Sequence, residues 1–273
     1  MAEVEIAGAK IKGGKILLIL PILGTLGGGL WGGFEFYKDY MNMREKIESY
    51  SAPDLSGFEQ KLAVLHEEMN ALKEMEKLIK ESAKAINELK PVQISSEIKN
   101  TDRSTGAMLS GEIAKVHGHR GLAEDTINIK LKGTAGQSFG AFIRDGINLK
   151  LTGNANDYVA KGMGGGSVTI IPQGRKMQGA YHAAGNTILY GATGGQLFIA
   201  GTVGQRFGVR NSGAIGVVEG CSAHGAEYMT GGTLVILGNI GFNFAAGMTG
   251  GKAIVLITQK IFDLYCSETA HDY

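Results

Sequence analysis

Cysteine is scarce in this chain of 273 residues, and its charges nearly cancel. The two cysteines, Cys221 and Cys266, are too few for a disulfide framework or a four-thiolate metal site. A reducing compartment is therefore the default expectation for the carboxy-terminal half. The net charge of +1 provides no long-range attraction for nucleic acid, so we expect no nucleic-acid partner.

Glycine is nearly absent from one part of the chain and abundant in another. Between residues 34 and 105 only Gly57 occurs, and that stretch is rich in Glu, Lys, Leu and Met, a composition typical of helices. Of the 43 glycines, 33 lie after residue 100, among the aliphatic residues and threonines that favour strands. We therefore expect an amino-terminal tail with a candidate membrane helix at residues 1–35, a helical stalk at 36–92 and a β domain at 93–273.

One long run, residues 16–34, contains no charged residue and follows Lys10, Lys12 and Lys15. Its length is just sufficient for a helix that crosses a bilayer, so we expect a single-pass membrane anchor here. The lysines predict that the amino terminus stays inside. The alternative is a buried or interfacial segment of a cytoplasmic protein, because six glycines and Pro21 weaken the hydrophobicity of the run.

The stalk shows a heptad-like pattern, in which apolar residues recur at alternating steps of four and three and only Glu76 breaks the series. The apolar positions are Phe58, Leu62, Leu65, Met69, Leu72, Ile79, Ala83 and Ile86. The pattern predicts a helix over residues 55–89 that self-associates as a coiled coil. An amphipathic helix lying on the β domain explains the same pattern, and both interpretations stay open.

Eight short apolar runs follow one another in the glycine-rich part, and nearly all are closed by a glycine. The runs are residues 127–131, 147–151, 168–171, 187–190, 197–200, 215–218, 233–237 and 253–257, and the closing glycines are Gly133, Gly153, Gly174, Gly191, Gly201, Gly220 and Gly238. A period of about twenty residues, with one half-length step in the middle, is typical of a solenoid. We expect a stacked parallel β-structure in which glycines provide positive φ at the corners and allow the backbones of neighbouring coils to approach.

Longer segments repeat as well. GTAGQSFGAF at residues 133–142 recurs as GTVGQRFGVR at 201–210, and NDYVAKGMGGG at 156–166 is echoed by AEYMTGG at 226–232 and NFAAGMTGG at 243–251. Together with residues 99–122 and 183–214, these segments resemble the carboxy-terminal GXGXG domain of the large (alpha) subunit of glutamate synthase. The resemblance extends from about residue 97 to about residue 257; a subunit of formylmethanofuran dehydrogenase is a more distant match. Residues 1–92 resemble no family that we recognise.

The resemblance implies a right-handed parallel β-helix and a role in glutamate biosynthesis and nitrogen assimilation. In that family the β-helix is a structural part that packs against the glutaminase domain and the FMN-containing synthase domain and helps to frame the route of ammonia. This chain lacks an amino-terminal cysteine nucleophile, a three-cysteine set for an iron–sulfur cluster and room for a flavin-binding barrel beside the β domain. We therefore expect a module that is not catalytic alone.

Several residues suggest chemistry at first sight. Ser138 lies in a G-x-S-x-G pattern at residues 136–140, but it sits inside a β repeat whose second copy has Arg206 in its place. The glycine motif Gly162, Gly164 and Gly166 suggests a phosphate cradle, yet a strand follows it where a cradle needs a helix. We expect corners of the coil at both places.

Two histidine pairings and a set of asparagines complete the candidates. His117 and His119 have a spacing that can bind a metal, but no third ligand lies nearby in sequence. Cys221 near His224 could be a nucleophile with its base, although a buried thiol is commoner. The asparagines beside glycine corners, Asn154, Asn156, Asn186 and Asn211, are expected to cap turns and to stack as a ladder.

The sequence thus predicts no catalytic, cofactor-binding or metal-binding residue. The first interpretation is a structural or interaction module of the glutamate synthase type on a membrane-anchored stalk. The second is a split subunit that completes a glutamate-synthase-like complex with separate glutaminase and flavin subunits. The third is an oligomeric fibre or spike in which the stalk sets the oligomer.

Overall fold

The computed structural model describes residues 3–6, 9–49, 56–174, 181–256 and 265–266, with side chains described from residue 24 onward except at residues 56 and 71. The chain divides into two compact units, residues 1–60 and 61–273. The predicted boundaries at 35 and 92 stay predictions. Residues 50–55, which include the start of the predicted helix at residue 55, lie outside the described residues, as does Ile257 in the last predicted run.

The first unit contains a hairpin and a long helix. Strands β1 (Glu3–Ile6) and β2 (Ala9–Lys12) pair antiparallel, and helix α1 (Gly13–Glu48) follows. The charge-free run at residues 16–34 thus lies in α1. Among the described residues, no helix combines the length and the apolar character that crossing a bilayer requires. The expected membrane span at 16–34 therefore finds no support in the described helices.

Helix α2 (Ser56–Glu88) continues into the second unit, and its carboxy-terminal half packs on the β domain. Leu78, Ala85 and Ile86 are buried in the same hydrophobic cluster as the first strand of the sheet. Within the described residues the predicted coiled coil finds no support, because its last positions are covered by the β domain and are not free for a second helix. For this half of α2 the alternative interpretation, an amphipathic helix on the β domain, is confirmed.

Nine strands of the described residues form one parallel sheet. The strands are β3 (Val92–Ile98), β4 (Ile127–Ala135), β5 (Ile147–Ala155), β6 (Gly164–Ile171), β7 (His182–Ala184), β8 (Gly194–Val203), β9 (Ser212–Cys221), β10 (Thr230–Ile236) and β11 (Gly250–Val255). The order is β3-β4-β5-β6-β8-β9-β10-β11, and the short β7 pairs with β5 and β8. Because each strand pairs in parallel with the strand one coil away, the predicted β-solenoid is confirmed.

Inward-facing side chains of successive strands stack in columns. Ile129, Leu149, Val168 and Leu197 lie in strict register and are all buried. Burial of each such aliphatic side chain contributes about 1.5–3 kcal/mol, so repetition of the column stabilises the coil without any disulfide. Helix α3 (Ala107–His117) and a short 3₁₀ turn at Gly118–Arg120 connect β3 to β4.

Two details of the predicted coil are wrong. The run at residues 187–190 is a turn and not a strand, and β6 pairs directly with β8, so the half-length step belongs to one longer coil. In addition, the sheet begins one strand earlier than the apolar runs indicate. Strand β3 was missed because Ser96 interrupts its inward series of Ile94 and Ile98.

The glycines act more through close approach than through positive φ. Among the seven closing glycines, Gly201, Gly220 and Gly238 have no positive φ, and each approaches the backbone of a neighbouring coil. A side chain at Gly153 would overlap the carbonyl oxygen of Gly133. The expectation that glycine provides the left-handed corners is thus only partly correct, because many corner residues with positive φ carry side chains.

Candidate functional site

The most unusual part of the solenoid is a column of six five-residue turns, which we call the corner stack. The turns are residues 138–142, 158–162, 187–191, 206–210, 224–228 and 243–247, and the first, third and fifth residues of each have positive φ. In each of the six turns two or three of these residues are not glycine. Left-handed backbone at such residues costs of order 1–3 kcal/mol each and persists only where the surroundings hold it in place.

Hydrogen bonds between coils hold the corner stack together. The N–H of Ser138 donates to the carbonyl of Asp157 (2.9 Å), that of Ala160 to Phe139 (2.8 Å) and that of Phe142 to Lys161 (2.8 Å). The same pattern recurs in the later turns. The repeated GQSFG and GQRFG segments therefore form a rigid edge, whose backbone groups bond to neighbouring coils.

Ser138 occupies the first position of the first turn, where the five later turns have Tyr158, Thr187, Arg206, His224 and Asn243. Successive strands of a sheet are about 4.8 Å apart, so His224 lies four coils and about 19 Å from Ser138. This separation is too large for a histidine base to take the serine proton. The structure thus places the G-x-S-x-G pattern in a corner of the coil, as the repeat predicts.

The glycine motif has no free cradle for an anion. The N–H of Gly162 donates to Tyr190, that of Gly164 to Ile143 and that of Gly166 to the Asp145 carboxylate (3.3 Å). A side chain at Gly164 would lie 2.6 Å from a guanidinium nitrogen of Arg144. Because Gly164 and Gly165 have no side chains, the charged side chains of Arg144 and Asp145 in the preceding coil fit beside them.

The asparagines cap turns as predicted, with one exception. Asn156 accepts from the N–H of Asp157 (2.8 Å), Asn186 from Gln205 (2.9 Å), and buried Asn211 from Ala214 (3.0 Å). Asn186 also donates its N–H to the Asp157 carboxylate (2.7 Å), which links neighbouring coils. Asn154 instead pairs with the Tyr181 hydroxyl (3.4 Å).

The structure separates the roles of the two histidines near α3. The Nε2 of His117 lies 2.6 Å from the carbonyl oxygen of Ile86, so His117 joins α3 to the end of α2. His119 is exposed in the 3₁₀ turn. In the part of the chain that the structure describes, no group of three or more His, Cys, Asp and Glu side chains is placed to hold a metal ion.

Cys221 is unsuited to nucleophilic attack. Burial raises the pKa of its thiol from 9.0 to about 12, and a hydrogen bond from the Gly241 backbone offsets only part of that shift. The thiol is therefore protonated near neutral pH, whereas a nucleophile requires the thiolate. Cys221 belongs to the hydrophobic core.

His224 takes part in a different cluster, one that the sequence analysis missed. Its Nδ1 lies 3.6 Å from a carboxylate oxygen of Glu227, and the Arg206 guanidinium lies 3.9 Å from the other oxygen. The His224 ring meets Phe242 edge-on. Arg206 was noted in the repeat at 201–210. Its proximity to Glu227 could not be predicted, because it depends on the stacking of the corner turns.

Two open polar grooves lie on the second unit. One, of about 510 Å³, is lined by α2 and the turn after β3, including Lys73, Glu97 and Asp102. The other, of about 450 Å³, crosses the beginnings of several strands beside Asp125 and Asp145. There Asn148 donates to Asp125 (2.6 Å), so part of the polar lining is already paired. Many polar groups on the surface of the described residues are thus already bonded to one another.

Comparison with models of protein families shows to which family the chain belongs. The family model described as the GXGXG motif matches residues 73–271, which include every strand from β3 to β11. The chain belongs to the GXGXG family. The match also includes the part of α2 that packs on the solenoid.

Several known proteins with similar sequences are glutamate synthases. A glutamate synthase [NADH] of Schizosaccharomyces pombe is 50% identical over 188 residues, 68% of this chain and 9% of the relative. The glutamate synthase [NADPH] large chain of Bacillus subtilis is 48% identical over 190 residues, 67% of this chain and 12% of the relative. A ferredoxin-dependent glutamate synthase of Pyropia yezoensis is 53% identical over 168 residues, 61% of this chain and 11% of the relative. The chain thus spans about a tenth of the length of these relatives.

Proposed function

We propose that this chain provides the β-solenoid module of a glutamate-synthase-type assembly and acts in glutamate biosynthesis as a structural part without its own catalytic residues. We also infer a right-handed coil, because parallel crossover connections are right-handed in nearly all proteins. The supporting observation is that about half of the aligned residues are identical to those of glutamate synthases over about two thirds of the chain.

Physical features of the site agree with a structural role. The corner stack places its backbone groups in hydrogen bonds between coils, and the thiol of Cys221 is buried and protonated. Such a rigid edge can hold neighbouring protein parts in fixed positions. The partners of this proposal are a glutaminase part and an FMN-containing synthase part.

A chimera tests the proposal. Residues 73–271 of this chain replace the matching region of the B. subtilis large chain, and glutamate formation from glutamine and 2-oxoglutarate is measured. The chimera is expected to keep at least about a tenth of the parent activity, because identity near 50% preserves the packing of a module. A B. subtilis large chain that lacks the region is the control and is expected to be inactive.

The same assay on the full chain alone separates the alternatives. No glutamine hydrolysis and no glutamate formation are expected. Turnover by the full chain alone would contradict a structural role, and an inactive chimera that still folds would contradict equivalence with the glutamate synthase module. Restoration of activity when the chain is added as a separate protein would favour the split-subunit alternative.

Membrane attachment through residues 16–34 and self-association through residues 55–89 remain predictions from the sequence, as does a membrane location as opposed to a cytoplasmic one. Fractionation of the full chain against a version without residues 1–50 tests the first. Sedimentation of the full chain tests the second and the fibre alternative: a trimer favours the fibre, and a monomer contradicts it.

A further inference from the structure

Helix α1 has one broad apolar side in its second half. In the heptad notation abcdefg, with Leu30 at position a, residues 34–43 are apolar at every a, d, e and g position and polar at every b, c and f position. A seam at a and d alone is typical of a two-stranded coiled coil, whereas this side takes up about half of the helix surface. We call it the bundle face: Leu30, Phe34, Phe36, Tyr37, Tyr40, Met41, Met43 and Ile47.

The bundle face is exposed to solvent along its whole length. Every described side chain of α1 is exposed, and the fractions on this face range from 42% at Met41 to 76% at Leu30 and Phe36. Together these side chains expose roughly 1,000 Å², since one aromatic side chain alone accounts for about 150–250 Å². Soluble proteins rarely leave a contiguous apolar patch of that size in water, so a partner is expected here.

The bundle face consists of two rows of side chains. Positions a and e form one row, and positions d and g form the other, roughly 100–120° further around the helix. Matching members of the two rows are two or three residues apart, so their heights along the axis differ by only about 3–4.5 Å. Both rows carry phenylalanine, tyrosine and methionine in the same order: Phe34, Tyr37 and Met41 in the first, and Phe36, Tyr40 and Met43 in the second.

This duplication fits a second copy of the same helix. When parallel copies stand side by side, the first row of one meets the second row of the next, and each side chain meets one of its own kind. Aromatic pairs contribute more than the burial of their area alone. Because the contact joins two different rows, it passes from copy to copy and can close into a ring.

The area of each row decides how many copies are needed. One neighbour covers a single row of roughly 500 Å², well below the roughly 800 Å² per partner of a stable interface. Two neighbours cover both rows, and the total exceeds that value. Each copy therefore needs a neighbour on both sides, which requires a ring of at least three copies.

The charges of α1 argue against a lipid surface as the partner. A helix that lies on a membrane is typically rich in Lys and Arg on its polar side. In α1 the two lysines on that side, Lys38 and Lys46, are outnumbered by Glu35, Asp39 and Glu45. An anionic bilayer would therefore gain no net attraction from this side of the helix.

A charged pair ends the bundle face toward the carboxy terminus of α1. Arg44, at an a position, donates its Nε–H to the carboxylate of Glu48 (2.8 Å). A polar residue at an a position fixes the register of parallel helices, because any shift would place it against apolar side chains. The pair is therefore compatible with a bundle whose copies are aligned end to end.

We propose that the bundle face of α1 joins three or more copies of this chain in a parallel helical ring. The interface differs from the predicted self-association through residues 55–89, because it lies in the preceding helix. It does not rest on the proposed function, since α1 lies outside the region matched by the family model.

Sedimentation equilibrium of the full chain tests the ring. The wild type is expected to have the mass of at least three copies. Phe36→Glu and Tyr37→Glu, one in each row, are each expected to reduce the mass to that of one copy at the same concentration, because a charge would be buried in an apolar contact. Circular dichroism of each variant checks that the helices are retained.

Two matched controls lie outside the bundle face. Trp31→Glu removes an aromatic side chain of 69% exposure from a b position of α1. Leu65→Glu changes α2 at a residue of 59% exposure in the predicted coiled-coil series. Both variants are expected to keep the mass of the wild type.

Several results would overturn the ring: a wild-type monomer or dimer, an unchanged mass in the two bundle-face variants, or equal dissociation by Trp31→Glu. Dissociation by Leu65→Glu would show that residues 55–89 set the oligomer, which also overturns it. Vesicles of phosphatidylcholine and phosphatidylglycerol test lipid as the occupant. Phe36→Glu is expected to cosediment with them to the same extent as the wild type, and a loss of cosedimentation in this variant would show that lipid covers the face instead.

Discussion

At the level of single residues, the solenoid depends on glycines that allow two backbones to touch. Gly153→Ala would drive a methyl group into the carbonyl oxygen of Gly133, at a residue with a φ of +147°. We expect a loss of more than about 3 kcal/mol in the free energy of unfolding, since neither backbone can move without breaking the sheet. Urea denaturation measures the change.

Gly111→Ala is the matched control for this prediction. Gly111 lies in helix α3, and nothing surrounds the added methyl group within 4 Å. The substitution is expected to raise the free energy of unfolding by about 0.5–1 kcal/mol, because alanine favours the helix. Equal effects of the two substitutions would contradict the close approach of the coils.

The thiol of Cys221 makes stability depend on pH. Its pKa is raised by burial to about 12 in the folded chain, while the unfolded chain loses the proton near 9.0. Below pH 9 both states keep the proton and stability is unaffected. Between pH 9 and 12 only the unfolded state loses it, so this group lowers the free energy of unfolding by up to about 1.4 kcal/mol per pH unit.

Unfolding curves from pH 8 to 11 test this dependence. Cys221→Ala is expected to show a shallower fall than the wild type, because the buried thiol is removed. Iodoacetamide at pH 8 should label Cys221 only after unfolding. Rapid labelling of Cys221 in the folded chain would contradict its burial.

At the level of elements, the two halves of α2 differ. Leu78→Ala is expected to lower the free energy of unfolding by about 2–3 kcal/mol, because Leu78 is 7% exposed and belongs to the core cluster. Leu62→Ala, the matched control at 52% exposure, is expected to change it by less than about 0.5 kcal/mol. Urea denaturation of both variants measures the difference. Similar losses from the two substitutions would contradict packing of α2 on the solenoid through its second half alone.

Helical periodicity alone could not distinguish these halves. The spacing of apolar residues was the same before and after Glu76, so the sequence predicted a helix but not which part is covered. Strands β4 and β5 were predictable because apolar and polar residues alternate strictly along them up to Gly133 and Gly153. The turn at 187–190 was mistaken for a strand because its inward Ile188 and Leu189 give it the same apolar appearance.

In the candidate site, too, only the features that depend on neighbouring residues in the sequence could be predicted. The caps formed by Asn156, Asn186 and Asn211 were predictable, because asparagine beside a glycine corner has few other roles. The cluster of Arg206, His224 and Glu227 was not, because Arg206 belongs to a different turn from His224 and Glu227 and meets Glu227 only through the stacking of corner turns.

At the scale of the whole molecule, each coil contacts mainly its two neighbours, so stability is expected to vary along the solenoid. Amides of β5 to β9 should exchange slowest with deuterated solvent, since these strands carry the fully buried columns. Those of β11 should exchange faster, because Lys252 and Ile254 are exposed and Ala253 and Val255 are only half-buried. Hydrogen exchange with mass spectrometry measures the gradient, and uniform protection from β5 to β11 would contradict it.

The strict register of neighbouring strands restricts how such a chain can change in length. Deletion of one residue within β5 would exchange the two faces of the rest of that strand, because side chains alternate between the interior and the outside. Duplication of a complete coil of about twenty residues would leave each remaining contact intact. Lengthening and shortening of this solenoid are therefore tolerated in whole coils, and insertions of other sizes are confined to its corners.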